Sequence, residues 1–403
     1  MVIRALTEKI KTKGVYFIIN AIFDRVTFPV IKALFPEKRT KNIIVIESHN
    51  DFDCNGGAFY DYLIENQYNN QYKIVWIVKN SVNFSLPKNV IAFNIAKISI
   101  RKNYYICRAK YFLSDDKTIA KIWPTQVSVY CTHGGCTFKN VKGHLGVSNT
   151  VDYILSSSRK YDPYMCDNYS VPFPNERMLH IGFPSNDVFY KKNIDEYAKL
   201  RKKPFKQVVL WMPTFRRSKS GRNDSVIELP FGLPLITKEA QFEILNNQLL
   251  KNDQLLVVKL HPMQDLNTIN RFSEYSNITF INSEQTKQLN LDVYRMMACS
   301  DGLISDYSSA AYSYILLNRP IGFILTDLKD YKLGLTTEKV DGIDVLPGHH
   351  IITFDDFINY LQDLASGNDR FKNERNSLKS WLYEIDDGNS CERLARFLKL
   401  KGD

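Results

Sequence analysis

Residues 301–309 read Asp301-Gly302-Leu303-Ile304-Ser305-Asp306-Tyr307-Ser308-Ser309. The run from Gly302 to Ser305 predicts a buried strand, and the polar turn after it leads into a helix that opens on two serines and ends before Arg319-Pro320. The first turn of such a helix presents unpaired backbone N–H groups and the positive end of the helix dipole. Two interpretations follow: a binding site for a phosphate or pyrophosphate, or a plain N-cap that satisfies a buried helix.

Short apolar runs of the same kind recur on both sides of this stretch and alternate with helical patterns such as Gly57–Glu65, Thr237–Lys251 and Asp292–Ala298. A first series of predicted strands comprises Asn42–Glu47, Lys73–Val78, Val90–Ile95, Tyr111–Ser114, Val127–Thr132, Tyr153–Ser156 and Leu179–Gly182. A second series comprises Val208–Met212, Leu255–Leu260, Ile278–Ile281, Leu303–Ser305, Ile321–Leu325 and Ile351–Phe354. Continuous apolar strands separated by helices are typical of parallel sheets covered on both faces. The sequence therefore predicts an α/β protein with two doubly wound domains.

The two series set the predicted domain boundaries. The break falls within residues 183–205, where a charged stretch ends in Arg201-Lys202-Lys203-Pro204. We expect an N-terminal segment over residues 1–41, a first Rossmann-like domain over 42–185, a second over 186–367, and terminal helices over 368–403. A chain of 403 residues suits two cores better than one.

Composition narrows the class of protein. The hydrophobic fraction of 44% and the charged fraction of 24% are those of an ordinary globular protein. The seven cysteines are scattered, and none of them has the spacing of zinc ligands. A reduced, cytoplasmic protein is the simplest interpretation.

The N-terminal segment carries much of the net charge of +10, because residues 1–41 contain nine Lys or Arg and three acidic residues. Apolar and aromatic residues lie between the charges, but Asn20, Asp24, Arg25 and Pro29 interrupt them. The segment is therefore too broken to span a bilayer, which needs about 20 apolar residues. It is typical of a basic amphipathic segment on an anionic leaflet, although a helix docked on the protein body is an alternative. The positive charge is not accompanied by a known nucleic-acid-recognition motif, so we expect no nucleic acid partner.

Polar residues follow several predicted strands, at the edge where open α/β sheets bind ligands. They form four groups: His133, Gly134, Gly135 and Lys139; Thr214 and Arg216; Lys259 and His261; and Asp306, Ser308 and Ser309. With one histidine in each domain, we expect the groups to face each other across the cleft. A single histidine at a strand end is often only a structural hydrogen-bonding residue, and an arginine loop is often only solvated. Their recurrence at strand ends favours a functional site.

The chain resembles the CDP-glycerol glycerophosphotransferases, the teichoic-acid primases and polymerases. The matching pieces are Val45–His49, Thr132–Gly134, Ser156–Arg159, Ile181–Asp187, Met212–Arg216, Lys259–Pro262, Ser305–Ser309 and Leu346–Gly348. The resemblance implies a GT-B architecture of two facing Rossmann-like domains. It also implies transfer of an alditol phosphate from a CDP-activated donor to a hydroxyl of a lipid-linked acceptor, with release of CMP. This chain has Gly135-Cys136 where the family usually has Thr-Pro, and His349 where a proline is expected.

The two histidines of the family match His133 and His261. We assign His133 as general base for the acceptor hydroxyl, since a neutral imidazole suits that role. His261, with Arg216 and the helix start, would hold the pyrophosphate and stabilise the departing CMP. The remaining expected site residues are Lys259, Thr214, Asp306, Ser308 and Ser309 on the donor side, and Gly134, Gly135 and Lys139 beside the transferred group or the acceptor. Asp306 would brace its turn or bind the ribose or alditol.

No strand is followed by Asp-x-Asp, and the adjacent Asp115 and Asp116 are expected to be solvated and to point different ways. We therefore predict no cofactor and no obligatory metal. A thiol nucleophile at Cys136 is an alternative that direct displacement does not need. The expected partners are CDP-glycerol or CDP-ribitol, a lipid-linked acceptor and an anionic membrane surface. The expected location is cytoplasmic, peripheral on the inner face of the cell membrane, and the oligomeric state is left open.

Two further hypotheses remain open at this stage. One is a GT-B glycosyltransferase that uses a nucleotide sugar on a cell-surface glycan. The other is a non-catalytic, membrane-bound scaffold of the same pathway. Release of CMP from a CDP-alditol would distinguish the transferase from both.

Overall fold

The computed structural model describes residues 15–37, 40–116, 118–143, 145–201, 203–214, 229–260, 275–331 and 334–401. Two predicted site residues, Arg216 and His261, lie outside these ranges, as do residues 1–14 of the basic segment.

The first domain is built on a seven-stranded sheet in which every neighbouring pair is parallel. Its spatial order is β3-β2-β1-β4-β5-β6-β7. The strands are β1 (Ile43–Glu47), β2 (Lys73–Val78), β3 (Val90–Asn94), β4 (Tyr111–Ser114), β5 (Val127–Tyr130), β6 (Tyr153–Leu155) and β7 (Met178–Leu179). Every residue of β1 is buried, as expected for a central strand covered on both faces.

The second domain has a six-stranded parallel sheet in the order β10-β9-β8-β11-β12-β13. The strands are β8 (Gln207–Trp211), β9 (Gln254–Lys259), β10 (Ile278–Ile281), β11 (Gly302–Ser305), β12 (Ile321–Ile324) and β13 (His349–Ile351). In both sheets the strand order reverses direction beside the first strand, between β1 and β4 and between β8 and β11. These reversals are the topological switch points at which such sheets bind ligands.

Helices cover the sheets and extend beyond them. They are α1 (Val15–Leu34), α2 (Cys54–Glu65), α3 (Ile100–Arg108), α4 (Asp162–Asn168), α5 (Ala240–Asn252), α6 (Ser283–Gln288), α7 (Val293–Cys299), α8 (Ala310–Tyr314), α9 (Phe354–Ser366), α10 (Lys372–Leu382) and α11 (Ser390–Phe397). The largest apolar core runs continuously through both domains and includes Trp381 and Leu394 of the two terminal helices. The domains therefore share a core.

The C-terminal helices return from the second domain to the first. The Ser158 hydroxyl donates to the carbonyl of Trp381 at 2.9 Å. The Asp187 carboxylate accepts from the backbone N–H groups of Ser390 and Cys391 at the start of α11, at 2.9 and 2.8 Å. An aspartate at a helix start satisfies N–H groups that lack partners inside the helix. These contacts fasten the end of the chain to the first domain and to the segment that joins the domains.

Helix α1 docks on the first domain through one of its faces. Asn103 of α3 donates to the Asp24 carboxylate at 2.8 Å and to the Thr27 hydroxyl at 2.6 Å, and Phe28 packs against the core beneath the sheet. A second face is exposed and aliphatic, with Ile19, Ile22, Val26, Val30 and Leu34 between 44% and 63% exposed. In the described part of the chain, no helix has the length and apolarity needed to cross a membrane.

The predicted strands match the structure to within a few residues, and the prediction of two parallel-sheet domains is confirmed. The last predicted strand, Ile351–Phe354, is placed too late. Thr353 and Asp356 form a capping box, so the chain is already helical at Phe354. The helix predicted after Ser309 is shorter than expected, because α8 tightens into a 3₁₀ turn over Ile315–Leu317.

Candidate active site

Three polar side chains meet at the switch point of the first sheet. His49 follows β1, Asp116 follows β4, and His133 follows the neighbouring strand β5. Because parallel strands end at the same edge, these residues lie together above the sheet. The rings of His49 and His133 stack with centroids 4.5 Å apart and planes within 6°. Nδ1 of His49 lies 3.8 Å from Oδ2 of Asp116.

Lys79, the residue after β2, links this cluster to the strand ends. Its Nζ donates to the His49 carbonyl at 2.6 Å and to Oδ2 of Asp116 at 2.7 Å, and it lies 3.4 Å from Oε1 of the buried Glu47. Burial opposes the charge of Lys79, but the hydrogen bond to Asp116 and the charge of Glu47 raise its pKa. The His49 imidazole and the Lys79 ammonium hold the pKa of Asp116 well below its usual range. Asp116 is thus a fixed anion beside the histidine pair.

The backbone around His133 is strongly turned and held in place. Thr132, Gly134 and Gly135 have positive φ angles of 61°, 78° and 60°. The buried Asn55 amide donates to the carbonyls of Cys131 and Thr132, both at 2.9 Å. Its Oδ1 accepts from the N–H and the hydroxyl of Ser185 at 3.0 and 2.9 Å. Asn55 therefore clamps the His133 loop to the segment that joins the domains.

The surroundings of His133 keep its ring neutral. Burial and the neighbouring His49 lower the pKa of His133, while Asp116 and Asp53 oppose this shift. Nδ1 of His133 is buried and has no hydrogen-bond partner among the described residues. A half-buried imidazole that is neutral near pH 7 can accept a proton from a bound hydroxyl.

The switch point of the second sheet brings together Thr214, after β8, and Asp306, after β11. The Thr214 hydroxyl donates to Oδ1 of Asp306 at 2.5 Å, and its N–H donates to Oδ2 at 2.9 Å. The N–H of Tyr307 also donates to Oδ1 at 2.7 Å. Asp306 is buried and braces this turn, which is one of the two roles expected for it.

The turn leads into the short helix α8, whose start faces the His133 loop. Ser308 accepts a hydrogen bond from the Ala310 N–H at 3.3 Å, whereas Ser309 makes no side-chain cap. A Cβ atom at Gly134 would lie 2.4 Å from the Ser309 hydroxyl oxygen, and one at Gly135 would lie 3.6 Å from that of Ser313. The glycines therefore permit the backbone of the first domain to approach the helix start of the second.

Lys139 and Lys259 take different places in the cleft. Residues 138–140 pair with residues 334–336 of the second domain through a bridge between Lys139 and Leu335 and a 3.0 Å bond from the Thr336 N–H to the Phe138 carbonyl. Burial lowers the pKa of Lys259, and the charge of Asp53 in the first domain opposes this shift. Asp53, in the loop after β1, thus acts on the pKa of both Lys259 and His133.

The structure bears on two interpretations drawn from the sequence: the exposure of Asp115 and Asp116, and the reactivity of Cys136. Asp115 and Asp116 do point different ways, but the prediction that they are solvated is wrong. Asp115 is buried and accepts from the Gly56 N–H at 2.8 Å, and Asp116 is paired with Lys79. Cys136 is buried with its thiol 3.0 Å from the Ser157 hydroxyl, and burial raises its pKa to about 12. A protonated, enclosed thiol is a poor nucleophile.

Sequence reasoning missed His49, Lys79 and Asn55. His49 ends the Val45–His49 stretch, and its place after a central strand was the available signal. The pairing of Lys79 with Asp116 and the clamp by Asn55 join distant parts of the chain, and no local pattern marks them.

His49, Asp116 and His133 are also the group of possible metal ligands found in the described part of the chain, with donor atoms within 4.8 Å of one another. The geometry fits an ion poorly. A metal bonds to an imidazole nitrogen in the plane of the ring, at about 2.0–2.1 Å for zinc, and two stacked, nearly parallel rings do not share such a point. The Lys79 ammonium already neutralises Asp116. The absence of an obligatory metal stays a prediction.

Comparison with known proteins agrees with this geometry. Residues 30–400 match the family described as CDP-Glycerol:Poly(glycerophosphate) glycerophosphotransferase. The chain belongs to this family. The prediction that it is a glycerophosphotransferase-type enzyme is thereby confirmed, and the glycosyltransferase and scaffold alternatives lose their support.

Individual relatives extend the comparison. The chain is 26% identical over 357 residues to a teichoic acid poly(glycerol phosphate) polymerase of Bacillus spizizenii, covering 81% of this chain and 86% of the relative. It is 30% identical over 194 residues to a teichoic acid ribitol-phosphate primase of the same species, covering 46% and 44%. The wall teichoic acid polymerase TagF superposes with a TM-score of 0.75 over 96% of each chain at 19% identity. This likeness shows the fold and confirms the GT-B-like arrangement.

Proposed function

We propose that this enzyme transfers glycerol phosphate from CDP-glycerol to a hydroxyl of a lipid-linked acceptor during teichoic acid synthesis. The observation that carries the proposal is the meeting of the His133 loop with the start of α8 across the domain interface. In the proposal, a neutral base in the first domain works opposite the start of α8 in the second, whose backbone N–H groups would bind the donor phosphates. CDP-ribitol is the alternative donor, since a ribitol-phosphate primase is among the relatives.

In this mechanism, the acceptor oxygen attacks the phosphorus that carries the glycerol. The proton of the hydroxyl passes to His133, and the bond between that phosphorus and the bridging oxygen breaks, so that CMP leaves with both electrons. Such a base contributes about 10²- to 10⁴-fold in rate. The backbone N–H groups near Ser308 and Ser309 would stabilise charge on the departing phosphate. His261 and Arg216 would join them; both lie outside the described residues.

The direct experiment is CMP release by the purified enzyme with CDP-glycerol or CDP-ribitol and a detergent-solubilised, lipid-linked acceptor. We expect acceptor-dependent CMP release, lost in His133→Asn and retained in His350→Asn. His350 is a suitable control because it sits on β13, with its ring 3.2 Å from the Leu346 carbonyl and outside the proposed site. Turnover of a nucleotide sugar in place of both CDP-alditols would contradict the proposal.

The proposed acceptor requires the enzyme to work at a membrane, and α1 offers a surface for this. Its exposed aliphatic residues follow spacings of three and four, so they share one side of the helix. The segment over residues 1–41 carries nine Lys or Arg against three acidic residues, and the chain as a whole is strongly basic. We propose that α1 lies in the interface of an anionic leaflet while its other face holds it to α3. In this proposal the enzyme works as a peripheral protein on the inner face of the cell membrane.

A further inference from the structure

The cluster of His49, Asp116 and His133 at the first switch point contains one histidine, His49, that has no role in the proposed reaction. His49 lies between the anion Asp116 and the ring of His133. Its side chain is 42% exposed, so it borders the cleft rather than the core. A partly exposed histidine beside a carboxylate and the proposed base is in a position to act on that base as well as to pack against it.

The ring of His133 is only partly fixed by hydrogen bonds. A base of this kind is commonly oriented by a hydrogen bond from one ring nitrogen to a carboxylate or carbonyl. A contact with the backbone of Asp115 acts on the ring, but Nδ1 is buried without a hydrogen-bond partner among the described residues. The parallel stack with His49, at 4.5 Å and 6°, adds a side-chain contact that holds the ring plane.

His49 is held by a hydrogen bond to its backbone, because its carbonyl accepts from Lys79 Nζ at 2.6 Å. Its ring Nδ1 lies 3.8 Å from Oδ2 of Asp116, which is beyond hydrogen-bond distance. Lys79 also binds Asp116, so the groups beside the backbone and the ring of His49 belong to one ion pair. The stack therefore rests on a braced element rather than on a free loop.

We propose that His49 is a positioning residue for His133: with its backbone held by Lys79, its ring fixes the plane in which His133 accepts the proton of the acceptor hydroxyl. The inference deepens the proposed function and rests on His133 being the base. As His133 gains a positive charge, the nearby Asp116 anion stabilises it.

Charges act on His133 from each element that packs against it. His49 and Asp53 come from the end of β1 and the loop after it, and Asp116 comes from the end of β4. Among the described residues, Lys79 reaches this group only through its contacts with His49, Asp116 and Glu47. Removing His49 takes away a group that lowers the pKa of His133, and removing the Asp116 charge takes away one that raises it. The two changes must therefore move the pKa in opposite directions.

The test is the pH profile of kcat/KM for CMP release from CDP-glycerol, measured for wild type, His49→Phe, His49→Ala and Asp116→Asn. His49→Phe keeps an aromatic ring for the stack, so it should retain more activity than His49→Ala, which we expect to lose about 10- to 100-fold in kcat with little change in the donor KM. The acid limb should move to higher pH in His49→Phe and to lower pH in Asp116→Asn. His350→Phe serves as the matched control and should match wild type.

Each other result contradicts the inference in a recognisable way. If the acid limb of the pH profile stays in place in His49→Phe and Asp116→Asn, or moves in the same direction in the two variants, the positioning role is overturned. Loss in His49→Phe as complete as in His133→Asn would make His49 a base in its own right. Inactivation by chelators, with recovery on adding zinc or manganese alone, would make the cluster a metal site. Full activity of His133→Asn would instead defeat the proposed function itself, whatever His49 does.

Discussion

Gly134 of the first domain lies directly against Ser309 of the second, so that a methyl group on Gly134 would come within 2.4 Å of the Ser309 hydroxyl oxygen. The two residues belong to different sheets, and their approach brings the His133 loop to the start of α8. The proposed base and the proposed phosphate site thus depend on one close contact between domains.

Replacement of Gly134 by alanine tests this contact. Gly134→Ala adds a Cβ atom at a positive φ of 78° and forces it onto Ser309. We expect a loss of about 1–3 kcal/mol in the free energy of unfolding from the overpacking, together with a severe loss of CMP release. Denaturant unfolding and the CMP assay measure the two effects.

The chain provides a control with the same backbone conformation. Gly143 has a φ of 77°, and a Cβ atom there would meet no described atom within 4 Å. Gly143→Ala should therefore show only the strain of a left-handed residue, about 1 kcal/mol, with normal turnover. Ser309→Ala in the Gly134→Ala background should recover part of the stability. Equal effects of the two glycine substitutions would show that the contact is unimportant.

Thr214→Val tests the brace at the second switch point. The change keeps the shape of the side chain but removes the hydroxyl that donates to the buried Asp306. We expect a stability loss of about 1–3 kcal/mol, since a buried carboxylate loses a hydrogen bond, and a raised KM for CDP-glycerol. Thr150→Val is the control, because among the described residues Thr150 bonds to Ser148, on the surface. An unchanged KM for CDP-glycerol would show that the bond between Thr214 and Asp306 is not needed for donor binding.

Cys136→Ala distinguishes direct displacement from a covalent step. The thiol is buried beside Ser157, and its pKa of about 12 means that it stays protonated through the neutral and mildly alkaline range. We expect CMP release at the wild-type rate and no alkaline limb in the pH profile that disappears with the substitution. Loss of turnover without loss of folded structure would restore the nucleophile hypothesis.

The wild-type pH profile should reflect the neutral His133. Burial and His49 lower its pKa from the usual value of about 6.5. A base with a lowered pKa stays unprotonated to lower pH, so the midpoint of the acid limb of kcat/KM should lie below about pH 6.5. A midpoint above this value would indicate a different base.

Attachment to membranes can be measured with sedimenting vesicles. We expect Ile22→Glu to weaken binding of the enzyme to phosphatidylglycerol vesicles, because it puts a charge on the exposed aliphatic face of α1. Ile244→Glu is the matched control, since Ile244 is similarly exposed on a helix of the second domain, at 53% against 58%. Binding to neutral phosphatidylcholine should be weak in every case. Equal binding of both variants to anionic vesicles would exclude α1 as the docking surface.

Local sequence patterns were enough to predict the two parallel sheets and the residues at their carboxyl ends. Continuous apolar runs such as Lys73–Val78 and Tyr111–Ser114 have the bounds predicted for them. A strand buried on both faces is apolar at almost every position, so it can be recognised from its own residues. His133, Thr214 and Asp306 could be picked out for the same reason: each directly follows such a run.

Only the tertiary structure decided what those residues touch. The stack of His49 on His133, the Asn55 clamp and the approach of Gly134 to Ser309 each join segments far apart in the chain. The same holds for the terminal helices, which return to the first domain through Ser158 and Asp187. Local patterns set which strands form and where they end, whereas the order of strands in a sheet and the packing of one domain on the other bring distant side chains within contact distance.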